Sequence, residues 1–363
     1  MLFKLRGLAR KAGVKIRRIP YISIVFGYEV ARWGGGVARW VMPGLGCMPV
    51  HHDKLDSAGM NRIYNAITEG PYPLAIAPEG QVSYTTESVP RLEPGTVRIG
   101  FGAVERLQKQ NRNIPVEIIP VSIHFRYGNF GRWSLSKLLR KIEKYTGFIQ
   151  KEKVDFSRRL ERARDFILLQ NEKRYGLEPD KKKSFPERVE TVMEAALKKA
   201  ETLLGIPTQI IDTVSRMYHI RQICWDRIVL PGVNTLKDRP LLERSILDLN
   251  AGEAWHASRH MELVDFSWYF RGPVPTNDAP LYIKIEYTQN LWDFASRTMG
   301  GAYSNRVFNV HPKRVLIQIG DPINLTEKSE DYKKDKKTAI ADAMKALESS
   351  YLDCITNASE YQI

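Results

Sequence analysis

Between residues 57 and 110 the apolar positions fall at helical spacing. Met60, Ile63, Tyr64 and Ile67 follow a serine start and predict a helix over 57–69, and Val97, Phe101, Val104 and Leu107 share one side of a second helix over 95–110. Short apolar runs lie around these stripes. YISIVFGYEV (21–30) reads as a strand or a buried segment, CMPV (47–50) as a short apolar run and PLAIA (73–77) as a strand, while the β-branched run IPVEIIPVSIHF (114–125) reads as a buried strand. VARWVMPGLG (37–46) predicts a short helix stopped by Pro-Gly. The strand–helix–strand–helix–strand order predicts an α/β unit whose sheet is mostly parallel and flanked by helices.

After about residue 130 the pattern changes. Residues 134–265 are mostly helical in pattern and highly charged, with clusters such as Lys181–Lys183. PLYIKIEYT (280–288) reads as a strand or an interfacial segment, and KRVLIQIGDPINL (313–325) as a clear strand ending in Gly-Asp-Pro. A closing helix is expected over 334–351. No internal repeat and no low-complexity segment interrupts this order.

Charge narrows the partners. Lys and Arg number 55 against 41 Asp and Glu, a formal net charge of +14, which points to nucleic acid, an anionic membrane surface or a phosphorylated substrate. Residues 1–20 hold Lys4, Arg6, Arg10, Lys11, Lys15, Arg17 and Arg18 with no acid, interleaved with Leu2, Phe3, Leu5, Leu8, Val14 and Ile16. Two readings stand: a basic amphipathic helix lying on a membrane, or a solvated basic face. The segment lacks the apolar core of a secretory signal. No window reaches the ~18 uncharged apolar residues of a membrane span, so work on a membrane would be done from its surface. The aromatics Trp33, Trp40, Tyr127, Phe130 and Trp133 read equally as interfacial anchors or as core. They do not interleave with Lys and Arg in a recognised RNA or DNA motif, which argues against a nucleic-acid partner. Cys47, Cys224 and Cys354 lie far apart, which argues for a reducing compartment and against a disulfide scaffold or a zinc site.

The candidate chemistry centres on PLAIAPEGQVS (73–83), an apolar run that ends on a carboxylate between proline and glycine. Pro78 limits the backbone and Gly80 permits close approach, so Glu79 is presented at a fixed mouth. In open α/β sheets, ligands bind beyond the carboxyl ends of the strands. Three further stretches stand in order around it: Gly46-Cys-Met-Pro-Val-His51-His52, Ile118-Ile119-Pro120-Val121, and the late Gly-Asp-Pro-Ile-Asn-Leu. Together they resemble the motifs of the glycerolipid acyltransferases, the 1-acylglycerol-3-phosphate acyltransferase family. The third of these motifs, Phe-Pro-Glu-Gly-Thr-Arg-Ser, stands here as Ala77-Pro78-Glu79-Gly80-Gln81-Val82-Ser83, and the spacing from Gly46 to Glu79 fits the family. The resemblance covers about residues 20–128 and 313–350.

The resemblance implies an acyltransferase-like α/β core over 1–130 and 313–363, with a large, mainly helical insertion over 131–312 before the last strand. It implies transfer of a fatty acyl group from acyl-CoA or acyl-carrier protein to a glycerol-phosphate or lysophospholipid acceptor, at the cytoplasmic face of an anionic membrane. No metal or bound cofactor is implied, because the thioester donor is a substrate. Pro78, Glu79, Gly80, Gln81, Ser83 and Pro120 would serve substrate binding.

Departures from the family pattern fall on the charges and on the base. Val82 and His52 stand where the family has arginines, and neither replaces a bidentate guanidinium. Arg91 and Arg98 are the nearby cations. The family's H-x-x-x-x-D base motif belongs well upstream of Gly46, and residues 1–46 contain no histidine, so the expectation is a chain that begins downstream of that motif. His51 and Asp56 have the same spacing but sit at the second motif. They are candidates for the dyad, or else part of a polar loop capping the next helix. A non-catalytic protein of the same fold that binds lipid or a membrane surface is the alternative reading. His256 and His260 share a helix face without an evident third metal ligand, which reads as two histidines on a helix face rather than a metal site.

Overall fold

The computed structural model describes residues 7, 9–14, 21–27, 35–50, 56–79, 85–89, 91–147, 154–180, 182–208, 212–229, 239–298, 310 and 312–361. In chain order, β1 (Ser23–Gly27), α1 (Gly35–Gly44), β2 (Cys47–Val50), α2 (Ser57–Thr68), β3 (Leu74–Ala75), α3 (Gly95–Lys109), β4 (Glu117–Ile118) and β5 (Val121–Tyr127) come first. Among the described residues, six helices follow: α4 (Asn129–Thr146), α5 (Phe156–Arg174), α6 (Phe185–Leu204), α7 (Thr213–Ile228), α8 (Leu241–Phe270) and α9 (Leu281–Thr298). The chain closes with β6 (Lys313–Ile319), β7 (Ile323–Asn324), α10 (Ser329–Lys334) and α11 (Lys336–Ser359). It is a mixed α/β protein in two units, residues 1–83, 88–122 and 317–360, and residues 84–87, 123–316 and 361–363.

In the first unit, β1 lies between β2 and β3 and pairs parallel with both, Ile24 facing Cys47 on one side and Ala75 on the other. Gly46 makes the turn into β2 with φ of +64°, and a β-carbon there would meet the Tyr21 ring at 2.8 Å, so the position requires glycine. The stripe read on α3 is its buried face. Val97, Phe101, Val104 and Leu107 pack with Ile323, Leu325, Tyr332, Ala339, Ala343 and Leu347 from the end of the chain. Phe101 stacks on Tyr332 at 4.2 Å between ring centroids. The core of this unit therefore forms only when residues separated by more than half the sequence meet.

Two expected strands are each broken by proline. The run 114–125 is not one buried strand: β4 pairs antiparallel with β7, Pro120 cannot donate to a ladder, and β5 resumes beyond it to pair with β6. Val121 and Ile123 are 47% and 50% exposed, whereas His124 and Arg126 are buried, so β5 turns its polar face inward. Likewise 313–325 splits at Gly320-Asp321-Pro322 into β6 and β7. Parallel pairing is seen between β1 and both its neighbours, β2 and β3, and antiparallel pairing between β4 and β7. The stretch 280–288 is neither strand nor interfacial segment but the start of α9. Its first residues alternate apolar and polar by chance, and the helical period appears further on, with Ile285, Thr288, Leu291, Trp292 and Ala295 buried. The closing helix begins at Lys336 and runs on to Ser359.

The second unit is built on helices tied by arginine–glutamate pairs. Arg159 grips Glu143 at 2.9 and 2.8 Å, joining α5 to α4. Arg188 grips Glu172 at 2.7 and 2.5 Å, joining α6 to α5. Arg216 grips Glu201 at 2.9 and 3.0 Å, joining α7 to α6, and also reaches Glu194. The glutamates follow one another at equal steps along the chain, so each helix carries the acid for the next. Around these staples lies a core that includes Leu139, Ile167, Leu197, Ile220, Met261 and Trp292.

Arg216→Met strands the buried Glu201 carboxylate and is expected to cost about 3–5 kcal/mol of unfolding free energy, read from the urea midpoint. Adding Glu201→Leu should recover most of that loss, since an apolar pair replaces the ion pair. A single variant as stable as the parent would show that the staple does not hold α7 to α6.

Candidate functional site

β3 is short, and the chain leaves it for the turn that carries Pro78 and Glu79. The Pro78 carbonyl accepts the Glu93 N–H at 2.7 Å, which ties the turn to the segment that leads into α3. Glu79 is half-buried, and its charge adds to burial in pushing the Tyr351 phenol up to about 12. Pro120 is buried and its carbonyl accepts the Gly320 N–H at 2.9 Å. A β-carbon on Gly320 would collide with Ser350 Oγ and lie 3.2 Å from Pro120 Cβ. Helix α11 is thus the common neighbour: Ser350 backs the Pro120–Gly320 contact and Tyr351 interacts with Glu79. Gly80, Gln81, Val82 and Ser83 lie outside the described residues, as do His51 and His52.

Asp56 caps α2, its carboxylate accepting the Gly59 N–H at 2.8 Å, in the capping role that competes with the dyad reading. Arg91 is exposed and lies 3.8 Å from Glu93, and Arg98 is exposed near the start of α3. His260 Nδ1 shares a hydrogen bond of 2.6 Å with the Tyr175 hydroxyl, and burial first, then Arg174, Lys199 and His256, drives its pKa down to about 4. Among the described residues no group of three His, Cys, Asp or Glu side chains is placed to hold a metal. No described helix is long and apolar enough to cross a membrane. Trp40, Phe130 and Trp133 are 83%, 68% and 59% exposed, so none of the three is core, while Tyr127 is half-buried and Trp33 lies outside the described residues.

A second cluster, which the sequence reading missed, lies in the helical unit where β5 turns its polar face inward. Thr86 donates its N–H at 2.8 Å and its hydroxyl at 2.5 Å to Glu286 Oε2 on α9. Glu87 Oε1 accepts from Arg126 Nη1 at 2.7 Å and lies 3.2 Å from His124 Nδ1. Facing an ionised carboxylate, that nitrogen carries the proton. Arg126 also donates from Nε to the Tyr361 carbonyl at 3.1 Å, and its guanidinium lies 3.8 Å from the Tyr282 ring centroid. Tyr282 and Glu286, four residues apart, share one face of α9.

The two carboxylates are pushed in opposite directions. Burial alone would raise Glu87, but the hydrogen bonds from His124 and Arg126 outweigh it and hold the acid below its usual range. Burial raises Glu286 to about 7 despite its bonds from Thr86, and the Glu87 charge adds to the rise. Tyr127, beside both, is pushed up to about 12, mainly by burial. The available signal was Glu286 itself, a lone carboxylate in an apolar run that reads correctly only at helical spacing.

No family model matches the chain, and no curated protein or solved structure is detectably similar to it.

Glu286 yields a pH signature whose sign is fixed. Its folded pKa lies above the ordinary 4.5, so the folded state holds more protons between the two values. Its contribution to stability is complete below pH ~4.5 and is lost as pH rises through ~7. Relative to Glu286→Gln, the parent protein should therefore lose stability across that window in urea titrations. Parallel pH curves for the two proteins would contradict the burial-driven shift.

Proposed function

We infer that this protein is an acyltransferase-fold protein of phospholipid synthesis. It moves a fatty acyl group from acyl-CoA or acyl-carrier protein to a glycerol-phosphate acceptor at a membrane surface. The observation that carries the reading is the Pro78-Glu79 turn, placed just after a strand of the parallel sheet, pinned through the Pro78 carbonyl and set against Tyr351 of α11. A half-buried carboxylate at that position suits hydrogen bonding to the glycerol hydroxyls of an acceptor. In the reaction the acceptor hydroxyl oxygen attacks the thioester carbonyl, a C–O ester bond forms and the C–S bond breaks. A general base takes the hydroxyl proton, and the thiolate leaves and is protonated. The family motif from which that base would come lies outside the matched residues, with His51 and Asp56 as the in-chain candidates.

The second reading, a non-catalytic protein that binds lipid or a membrane surface, is favoured by two observations. Asp56 is engaged in capping α2, and the stretch at α1 exposes Val37, Trp40, Val41 and Leu45. Apolar exposure of that kind together with a net charge of +14 suits an anionic lipid surface.

Acyl transfer to lysophosphatidate, with an acyl-CoA or acyl-carrier donor, tests both readings. Glu79→Ala is expected to lower kcat/KM by about a hundredfold, mostly through the KM of the acceptor. His51→Ala alongside it decides whether that histidine is the base. Acceptor binding without transfer, with flotation on anionic vesicles that weakens in salt, would favour the second reading. Binding to neither acceptor nor vesicles would contradict both.

A further inference from the structure

Helix α4, in the helical unit, buries one side and charges the other. Leu135, Leu138, Leu139 and Ile142 are buried, while the exposed side carries Phe130, Trp133, Lys137, Arg140 and Lys144 at steps of three and four residues. Those steps set all five on one stripe roughly 20 Å long, two aromatics at its start and three cations after them. Lys137 Nζ lies 5.1 Å from the centroid of the Trp133 ring, which joins the two parts. The acid that α4 holds, Glu143, is buried and gripped by Arg159, so none stands on the exposed side. On α5 and α10, by contrast, exposed cations face a carboxylate three residues away, Arg158 with Glu161 and Lys333 with Glu330. Arg140 and Lys144 stand four residues apart, like charges that work against the helix rather than for it.

The chemistry of this stripe fits an anionic lipid surface. Trp and Phe side chains held outward favour the depth of the headgroups, and Lys and Arg beside them meet lipid phosphates. The three cations lie within roughly 10 Å along the helix axis, close to one Debye length in physiological salt, so they act together on a charged plane. A nucleic-acid duplex offers phosphates but no apolar layer for Phe130. The apolar side of α4 is spent on the core, so the helix would meet a membrane by its stripe alone. We propose that the Phe130–Lys144 stripe of α4 docks the helical unit on an anionic phospholipid membrane, with the aromatics in the headgroup layer and Lys137, Arg140 and Lys144 on the phosphates. This deepens the reading of a protein that works at a membrane surface and rests on it for the place of work, but the stripe itself is read from α4 alone.

The test is flotation of the full chain with vesicles of phosphatidylcholine alone, and of phosphatidylcholine and phosphatidylglycerol in equal parts. The parent protein should float with the mixed vesicles, less so in high salt, and not with phosphatidylcholine alone. Lys137→Gln, Arg140→Gln and Lys144→Gln together should weaken binding to mixed vesicles about a hundredfold. Phe130→Ala with Trp133→Ala leaves the charge untouched and should weaken it several-fold. A control of the same net charge as the triple variant, Lys182→Gln, Lys198→Gln and Lys345→Gln at scattered exposed positions, should bind within a few-fold of the parent. All the substituted side chains are exposed, so the urea midpoint should hold, and if the triple variant unfolds the aromatic pair is read in its place. A parent that does not float, a stripe variant that floats as the parent does, or a control as weak as the triple variant overturns the proposal. So does tighter binding to single-stranded RNA than to mixed vesicles, since the stripe would then be a nucleic-acid surface. Acyl transfer to lysophosphatidate on the same proteins separates the two claims. Stripe-dependent flotation without transfer sinks the acyltransferase reading and leaves the surface, and transfer with stripe-independent flotation does the reverse.

Discussion

Both hydrogen-bond donors of Thr86 end on one buried carboxylate oxygen of Glu286, and the arrangement of the polar cluster follows from that contact. A carboxylate with little access to water stays ionised only if donors or cations surround it. Glu87 has them, from Arg126 and His124, and keeps its charge. Glu286 has the Thr86 donors and the Glu87 backbone N–H but no cation, and burial together with the Glu87 charge drives it toward neutrality near pH 7. The pair can coexist in one small volume because only one of them must be charged. This also explains why β5 turns His124 and Arg126 inward and leaves Val121 and Ile123 half-exposed: the strand's polar face has partners inside, and its apolar face does not need them there.

The first unit depends on a different constraint, the return of the chain. Helix α3 buries its stripe against segments from the end of the sequence, and Gly100 lets Leu325 approach where a side chain would collide. Helix α11 completes that core with Ala339, Ala343 and Leu347 on one stretch and backs Glu79 and Pro120 with Tyr351 and Ser350 on the next. One helix therefore serves both stability and the candidate site. An early motif on its own, without residues 323–359, would have neither its core nor its backing.

The parts legible in the sequence are those set by local pattern. The stripes of α2 and α3 could be read because a half-buried helix imposes its period on the residues it buries. The turn at Pro78 could be read because proline and glycine constrain backbone directly. What could not be read depends on partners far away. Pro120 and the Gly-Asp-Pro step each broke what looked like a single strand, and only their pairing with each other's neighbours shows where the ladder stops. The alternation in 281–286 imitated a strand, and the helix emerged only over a longer window. The arginine–glutamate staples join residues 15 or 16 apart, beyond the three- and four-residue spacing that local rules address. The expected boundaries near 130 and 313 stand beside breaks at 122/123 and 316/317, while the excursion 84–87 into the second unit had no sequence signal at all.

The central claim is the proposal that the Pro78-Glu79 turn, set against Tyr351, receives the acceptor. The most direct measurement is a titration with lysophosphatidate that follows backbone resonances across the full chain. The account predicts shifts concentrated at Glu79, Glu93 and Tyr351, saturating together with one binding curve. Saturating ligand that leaves these three resonances in place, or that moves only residues of the second unit, would contradict it.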